Sequence, residues 1–245
     1  MSDVPGSGVL GAGVPGAPSG GWRTATVAGV SRPIQRSVQL RLDVADRVDH
    51  LPGQHYVVRL TAEDGYTAQR SYSVASAPGD PLVELYVERL DDGEVSEFLA
   101  DVAEVGDVLE MRGPIGRWFT WDVRTPALCL VGGTGVVPAV SMLRTARRLG
   151  RADLLRVVAV GRDPEMLPYA AELGRSGATL AYTRHDTPDR PAGAPTAAEV
   201  TPLLDGVELA YVCGSARFAS YAETLLVDCG VDPQAIRVER FGPTG

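Results

Sequence analysis

Arg70-Ser71-Tyr72-Ser73-Val74-Ala75-Ser76-Ala77-Pro78 is the stretch that decides the fold. It is typical of a strand that carries an arginine, an aromatic hydroxyl and a small hydroxyl. We expect Arg70, Tyr72 and Ser73 to share one face of this strand. A cationic fork, a flat ring and a short hydroxyl suit a ligand with a diphosphate and a heteroaromatic ring, such as a flavin dinucleotide. The alternative is an edge strand with a solvated arginine and a half-buried tyrosine.

Short strand patterns surround this stretch on both sides. They lie at residues 22–27, 38–42 and 56–60 before it, and at residues 82–89 and 107–112 after it. Turn-forming residues separate them, and this spacing is typical of a small all-β barrel. The sequence therefore predicts a six-stranded antiparallel β-barrel over residues 22–125, with residues 122–126 as the linker.

A turn after the fifth strand offers a second place for a diphosphate. Gly93 relieves steric restriction there, and we expect Ser96 to be the N-cap of a helix over residues 97–100. The start of a helix presents unpaired N–H groups to an anion. A simple capped helix is the alternative.

The pattern changes after the linker. Residues 127–131 form a continuous apolar run, which is typical of a strand buried on both faces. Gly132-Gly133-Thr134-Gly135 and a helical stretch over residues 136–150 follow, and together they predict a cradle for nucleotide phosphate. Further strands alternate with helices, so residues 126–245 are predicted to form a Rossmann-like α/β domain with a parallel sheet. Four residues fall at the carboxyl ends of its strands, where ligands bind: Gly132, Arg162, Arg184 and Cys213.

Composition excludes several classes of function. The net charge of −8 argues against a nucleic-acid partner, and no apolar run approaches the length of a membrane span. The three cysteines are too few for a four-thiolate iron–sulfur cluster and lack zinc spacing, so no metal is expected. His50, His55 and His185 are predicted to be surface or strand residues. Residues 1–21 are interpreted as a disordered tail and not a signal peptide, which predicts a cytoplasmic protein.

Five motifs occur along the chain in a fixed order. They are Arg70-x-Tyr72-Ser73, Gly93-x-Val95-Ser96, Gly132-Gly133-Thr134-Gly135, Cys213-Gly214 and Val238-Glu239-Arg240-Phe241. With these motifs the chain resembles the ferredoxin–NADP reductase family over residues 22–241, and most of all its stand-alone FAD-binding bacterial ferredoxin reductases. The resemblance implies FAD in the barrel and a pyridine nucleotide in the α/β domain.

The resemblance also implies roles for single residues. On the FAD side these are Arg70 and Ser96 with Glu94 and Val95 for the diphosphate, Tyr72 along the flavin, Ser73 near its N5 atom, Tyr86 and Val87 at the adenosine, and Phe241 over the flavin. On the nucleotide side these are Gly133, Thr134 and Gly135 in the phosphate loop, with Cys213 and Glu239 beside the nicotinamide. A small buried hydrophobe is the alternative for Cys213, and a solvated strand residue is the alternative for Glu239.

Together, these inferences predict that the protein is a flavoenzyme. It would take a hydride from NAD(P)H and pass electrons to a separate acceptor, such as a ferredoxin or an oxygenase component. A flavin reductase and a non-catalytic nucleotide-binding regulator are the rival hypotheses. Arg162 and Arg184 favour NADPH because both can meet the extra ribose phosphate. Asp163 could instead accept the 2′-hydroxyl of NADH, and both arginines could be solvated loop residues.

Overall fold

A computed structural model describes residues 21–242, which form two sheets. The predicted tail falls outside these residues except for Gly21. The first sheet is antiparallel and has the order β4-β3-β6-β1-β2-β5. Its strands are β1 (Arg23–Ser31), β2 (Ser37–Val44), β3 (His55–Thr61), β4 (Thr67–Ser73), β5 (Val83–Glu88) and β6 (Val108–Ile115).

The first sheet closes into a barrel. An antiparallel bridge between Val74 and Leu85 joins the chain just after β4 to β5, so the two edge strands meet. Alternate residues such as Leu40 and Leu42 of β2 are fully buried, because a strand with one buried face directs every second side chain inwards. The predicted six-stranded antiparallel barrel is confirmed.

A short helical segment covers the barrel core. It consists of α1 (Glu94–Glu97) and one π-helical turn (Phe98–Val102). Val95 and Leu99, four residues apart on one face of this segment, are buried in the barrel core. The segment therefore holds the chain after β5 against the barrel.

The second sheet is parallel, with the order β11-β10-β7-β8-β9. Its strands are β7 (Ala127–Gly132), β8 (Leu155–Gly161), β9 (Thr179–Tyr182), β10 (Leu209–Ser215) and β11 (Ile236–Phe241). The helices are α2 (Val136–Arg148), α3 (Ala170–Arg175), α4 (Ala197–Val200) and α5 (Ala216–Asp228). Every residue of β7 is buried, since the sheet is covered on both faces. The predicted parallel α/β domain is confirmed.

Strand order places the ligand crevice of the second sheet. β7 lies at the centre, with β8 on one side and β10 on the other, so the chain reverses direction across the sheet at this point. Ligands bind at such a switch point, outside the carboxyl ends of the strands. The loops after β7 and β10 both open there. No helix within residues 21–242 has the length and apolar character needed to cross a membrane.

Candidate active site

Strand β4 places Arg70 and Tyr72 on the same side, as predicted. The exposed guanidinium of Arg70 donates to the carbonyl of Gln69 at 2.8 Å. Its charge also acts on Tyr66: the hydrogen bond to Glu94 raises the pKa of Tyr66, whereas Arg70 lowers it. Arg70 therefore lies near the start of α1, with most of its donors free for an anion.

The hydroxyl of Tyr72 lacks a partner. It is buried and makes no hydrogen bond within residues 21–242, while burial raises its pKa above the ordinary value. Buried hydroxyl groups in folded proteins almost always have a partner. A bound ligand with a polar group at this position would supply one.

Ser73 does not share the face of Arg70 and Tyr72, so this part of the prediction is wrong. Adjacent residues of a strand point to opposite sides, and Ser73 follows Tyr72 directly. It pairs with His55 across β3 and β4 and is 6% exposed. Strand β4 thus carries Tyr72 on one side and Ser73, beside His55, on the other.

His55 is a residue that the sequence interpretation classed only as a strand histidine. It is half-buried, neither ring nitrogen is hydrogen-bonded within the described chain, and burial lowers its pKa. The sequence carried no signal for this position, because the pairing of His55 with Ser73 depends on how β3 and β4 align. His50, by contrast, is neither at the surface nor in a strand, so its prediction is wrong: it is buried in a loop and bonded to the carbonyl of Ser76.

Both predicted residues of β5, Tyr86 and Val87, are buried. The Tyr86 hydroxyl donates to Ser37 Oγ at 2.7 Å, and its ring lies 5.5 Å from that of Tyr169. Val87 is fully buried in the barrel core, so only its main chain can meet a ligand. The structure therefore places the two predicted neighbours on opposite sides of β5.

Ser96 is not a helix cap, contrary to the prediction. The helix begins at Glu94 with Gly93 as its N-cap. The Ser96 hydroxyl instead donates to the carbonyl of Gly93 at 2.9 Å and accepts from the N–H of Leu90 at 3.1 Å. A serine inside a helix often bonds back to the preceding turn, and here that bond closes the loop. Glu94 accepts from Tyr66, and Val95 is buried in the core.

Two glycines of the loop after β7 are required for different reasons, Gly133 for its backbone conformation and Gly135 for the contact with β10. Gly133 has a φ of 56°, in the region that glycine adopts readily. A Cβ atom on Gly135 would lie 2.3 Å from the carbonyl oxygen of Cys213. Thr134 Oγ1 donates to Glu88 Oε2 at 3.2 Å, which joins the loop to the last residue of β5. This hydrogen bond joins the glycine loop to the barrel.

Cys213 and Glu239 are brought together, as the family resemblance implies. They pair across β10 and β11, and Phe241 pairs with Ser215 two residues further on. Cys213 is fully buried, and burial, with the charge of Glu239, raises the pKa of its thiol well above the usual range. Burial also raises the pKa of Glu239 to about 7, and within residues 21–242 this carboxyl has no hydrogen-bond partner. The half-buried ring of Phe241 packs against the core of the α/β domain.

The unpartnered carboxyl of Glu239 should make stability depend on pH. Its pKa in the folded chain lies above that of the unfolded chain, so folding stability falls as pH rises from about 4.5 to 7. We expect Glu239→Gln to raise the free energy of unfolding by about 2 kcal/mol at pH 8, with little gain at pH 4.5. Urea denaturation at both pH values measures this. The exposed Glu208→Gln is the control, and an equal gain of stability at the two pH values would contradict the assignment.

Arg162 and Arg184 also come together. The N–H of Arg184 donates to the carbonyl of Arg162 at 2.8 Å, at the carboxyl ends of β8 and β9. Both side chains are exposed and have no partner within the described residues. The Asp163 carboxylate is already used, because it accepts the N–H of Met166 at 2.9 Å and caps a 3₁₀ turn. Two free cations therefore face solvent at this edge.

Comparisons with known proteins show what this chain is similar to. Residues 27–120 match the oxidoreductase FAD-binding domain. The electron transfer component of 2-halobenzoate 1,2-dioxygenase from Burkholderia cepacia is 29% identical over 215 residues, which are 84% of this chain. The ferredoxin–NAD(P)+ reductase component of the naphthalene 1,2-dioxygenase system from Pseudomonas putida is 26% identical over 230 residues, which are 90% of this chain. Residues 27–120 therefore carry an oxidoreductase FAD-binding domain, and most of the chain is similar to the reductase and electron transfer components of dioxygenase systems.

Solved structures show the same fold. The ferredoxin–NADP+ reductase of Neisseria gonorrhoeae, solved with FAD and NADP bound, has a TM-score of 0.76 and 18% identity, covering 89% of this chain and 98% of that one. The FAD/NAD-binding domain of nitric oxide dioxygenase from Vibrio cholerae has a TM-score of 0.80 and 24% identity, covering 90% and 99%. The chain spans 62% of the Burkholderia relative and 69% of the Pseudomonas relative.

The barrel residues fit FAD, the cofactor of the oxidoreductase FAD-binding domain that residues 27–120 match. The buried hydroxyl of Tyr72 lacks a partner, and the guanidinium of Arg70 is free apart from one main-chain bond. A polar ring system would satisfy the first group and a diphosphate the second. FAD contains both.

Proposed function

We propose that this chain oxidises NAD(P)H and passes the electrons to a separate acceptor. When bound, FAD accepts a hydride and releases electrons singly. We assign its binding to residues 22–125 and that of the nucleotide to residues 126–245. The observation that carries the proposal is the bond from Thr134 to Glu88, because it fixes the nucleotide loop to the FAD barrel. Hydride transfer needs such fixed positioning of two ligands.

The chain's own residues would divide the work. Arg70 would hold the diphosphate and Tyr72 the flavin ring, while Ser73 would face the reacting edge. Gly133, Thr134 and Gly135 would hold the nucleotide. Cys213, which burial keeps as a neutral thiol, would leave space for the nicotinamide beside Glu239. Phe241 would shield the flavin ring from water.

The acceptor is proposed from the relatives. Their names describe electron transfer or reductase components of dioxygenase systems. We infer that a ferredoxin or an oxygenase component accepts the electrons here, with no nucleic acid as partner. Three free cysteines within residues 21–242 suit a reducing compartment, so we place the protein in the cytoplasm. Cell fractionation with antibody detection tests this location.

Anaerobic mixing with NADPH tests the proposed activity. The purified protein should be yellow, retain FAD through gel filtration, and lose its flavin absorbance within seconds of mixing. Flavin that is bound but not bleached would indicate the regulator. Flavin that separates on the column and is consumed as a substrate would indicate a flavin reductase.

The nucleotide preference has its own prediction. Arg162→Ala should lower kcat/KM for NADPH about tenfold by removing a charge-assisted contact to the ribose phosphate, while kcat/KM for NADH stays nearly constant. Steady-state kinetics with both nucleotides measure this. Arg151→Ala, which removes another exposed and unpaired arginine, is the control. Equal losses for the two nucleotides would refute the assignment of Arg162.

A further inference from the structure

Arg144 of α2 makes a polar contact across the two domains. Its Nη1 donates to Glu84 Oε1 of β5 at 2.8 Å and to the carbonyl of Ala75 at 3.1 Å. Its Nε and Nη2 each donate to one carboxylate oxygen of Glu172 in α3, both at 2.8 Å. One guanidinium thus binds the barrel with one arm and its own domain with the other two.

The barrel partner is nearly enclosed. The side chain of Glu84 is 10% exposed, and its Oε1 also accepts the hydroxyl of Tyr169 at 2.9 Å. The Arg144 guanidinium lies 5.2 Å from the centre of the Tyr169 ring. We call Arg144, Glu84, Glu172 and Tyr169 the Arg144 clamp. Such charge-assisted contacts, shielded from water, fix geometry better than exposed ion pairs do.

The backbone of Tyr169 has an unusual conformation, which supports a specific role for the Arg144 clamp. Tyr169 has a φ of 58°, in the left-handed region that bulky residues seldom occupy. The surrounding contacts must hold it there, since this conformation is unfavourable for a tyrosine. The conformation allows its hydroxyl to reach Glu84 while its ring packs beside Tyr86.

The clamp connects the two ligand sites. Ala75 lies two residues after Ser73, and α2 begins directly after the glycine loop that ends at Gly135. A second bond in the same interface runs from Ser141 Oγ to the carbonyl of Ser76 at 2.7 Å. A shift of α2 against residues 75 and 76 would therefore move the glycine loop relative to the end of β4, where Tyr72 and Ser73 lie.

We propose that Arg144 is a positioning residue that fixes the nicotinamide site against the flavin site through Glu84 and Ala75. This inference rests on the proposed function, because it assigns a role in the transfer between the two ligands. A displacement of about 1 Å at a reacting pair can cost roughly a hundredfold in rate. The clamp therefore acts on the transfer step and not on the binding of either ligand.

Rapid mixing of Arg144→Ala with NADPH tests the proposal. At saturating NADPH, flavin reduction should slow about 10- to 100-fold, while the dissociation constants of FAD and NADPH change less than about threefold. Arg144→Lys keeps the charge but loses the forked geometry of the guanidinium. Its rate of flavin reduction should therefore lie between those of the wild type and Arg144→Ala. It also serves as the test variant if Arg144→Ala fails to fold.

Two further variants separate the arms of the clamp. Glu84→Ala removes the partner in the other domain and should reproduce the loss of rate, whereas Glu172→Ala should cost less. The double variant Arg144→Ala/Glu84→Ala should be no slower than either single variant, because both remove the same contact. Arg148→Ala is the matched control. Arg148 lies one turn after Arg144 on α2 and pairs with Asp80, which precedes β5, but the side chain of Arg148 is 46% exposed.

Hydrogen exchange of the ligand-free protein gives a readout without catalysis. In Arg144→Ala the amides of residues 75–77 and of α2 should exchange faster, while those of β1 keep their wild-type rates. Equal acceleration in β1, or a reduction rate within twofold of wild type, would overturn the proposal. Wild-type protein that NADPH does not reduce would refute the proposed activity instead, whereas the exchange experiment tests the clamp independently.

Discussion

Ser73→Ala is expected to slow the reduction of bound FAD by NADPH about ten- to a thousandfold while the protein stays yellow. The side chain is only 6% exposed, and its hydroxyl makes no hydrogen bond within residues 21–242. It is therefore available to a ligand. A polar group aligned with a reacting centre contributes more to rate than to affinity, because its contact strengthens as charge develops. Stopped-flow absorbance at saturating NADPH measures the rate.

Ser71→Ala provides the matched control for Ser73→Ala. Ser71 lies two residues earlier on the same side of β4, but is exposed. Its removal should leave both the rate and the flavin content near the wild-type values. If Ser73→Ala reduces its flavin as fast as wild type does, then Ser73 has only a structural role.

The elements of the fold could be predicted because local patterns determine them. The alternation of Leu40 and Leu42 with polar residues is a strand signal that needs no knowledge of the partner strand. The unbroken apolar run of β7 likewise indicates a strand covered on both faces. The order of the motifs along the chain then indicated the resemblance to ferredoxin–NADP reductases.

Side-chain roles inside the motifs were predicted less well. Ser96 has the composition of a cap, but helix α1 begins two residues before it, and its hydroxyl bonds to Gly93 and Leu90. Competition between capping and back-bonding depends on where the helix begins, which local sequence defines only to within a few residues. Ser73 was assigned to the same face as Tyr72. Adjacent residues of a strand point to opposite faces, so this assignment was wrong.

Contacts between elements that are distant along the chain could not be predicted from the sequence. Arg144 is 60 residues from Glu84 and 28 residues from Glu172, and neither spacing has a local periodicity. The register that pairs His55 with Ser73 depends on how β3 and β4 align, and so on the turn between them. Tertiary packing sets both features, and the structure was needed to find them.

Arg70→Ala should purify largely free of flavin. The guanidinium is exposed, is held only by the carbonyl of Gln69, and lies near the start of α1. A bidentate contact from it to a diphosphate would contribute about 2–3 kcal/mol, so we expect FAD affinity to fall roughly 30- to 150-fold. The ratio of flavin to protein absorbance after gel filtration, followed by titration with FAD, measures this loss.

The variant Arg124→Ala separates this contact from a general effect of charge. Arg124 is also exposed and its side chain has no partner within the described residues, but it lies in the segment that connects β6 to β7 and not in β4. Its loss changes the net charge by the same amount, so it should leave FAD content unchanged. Normal FAD content in Arg70→Ala would show that the diphosphate is held elsewhere, since an exposed arginine without a ligand contributes little to binding.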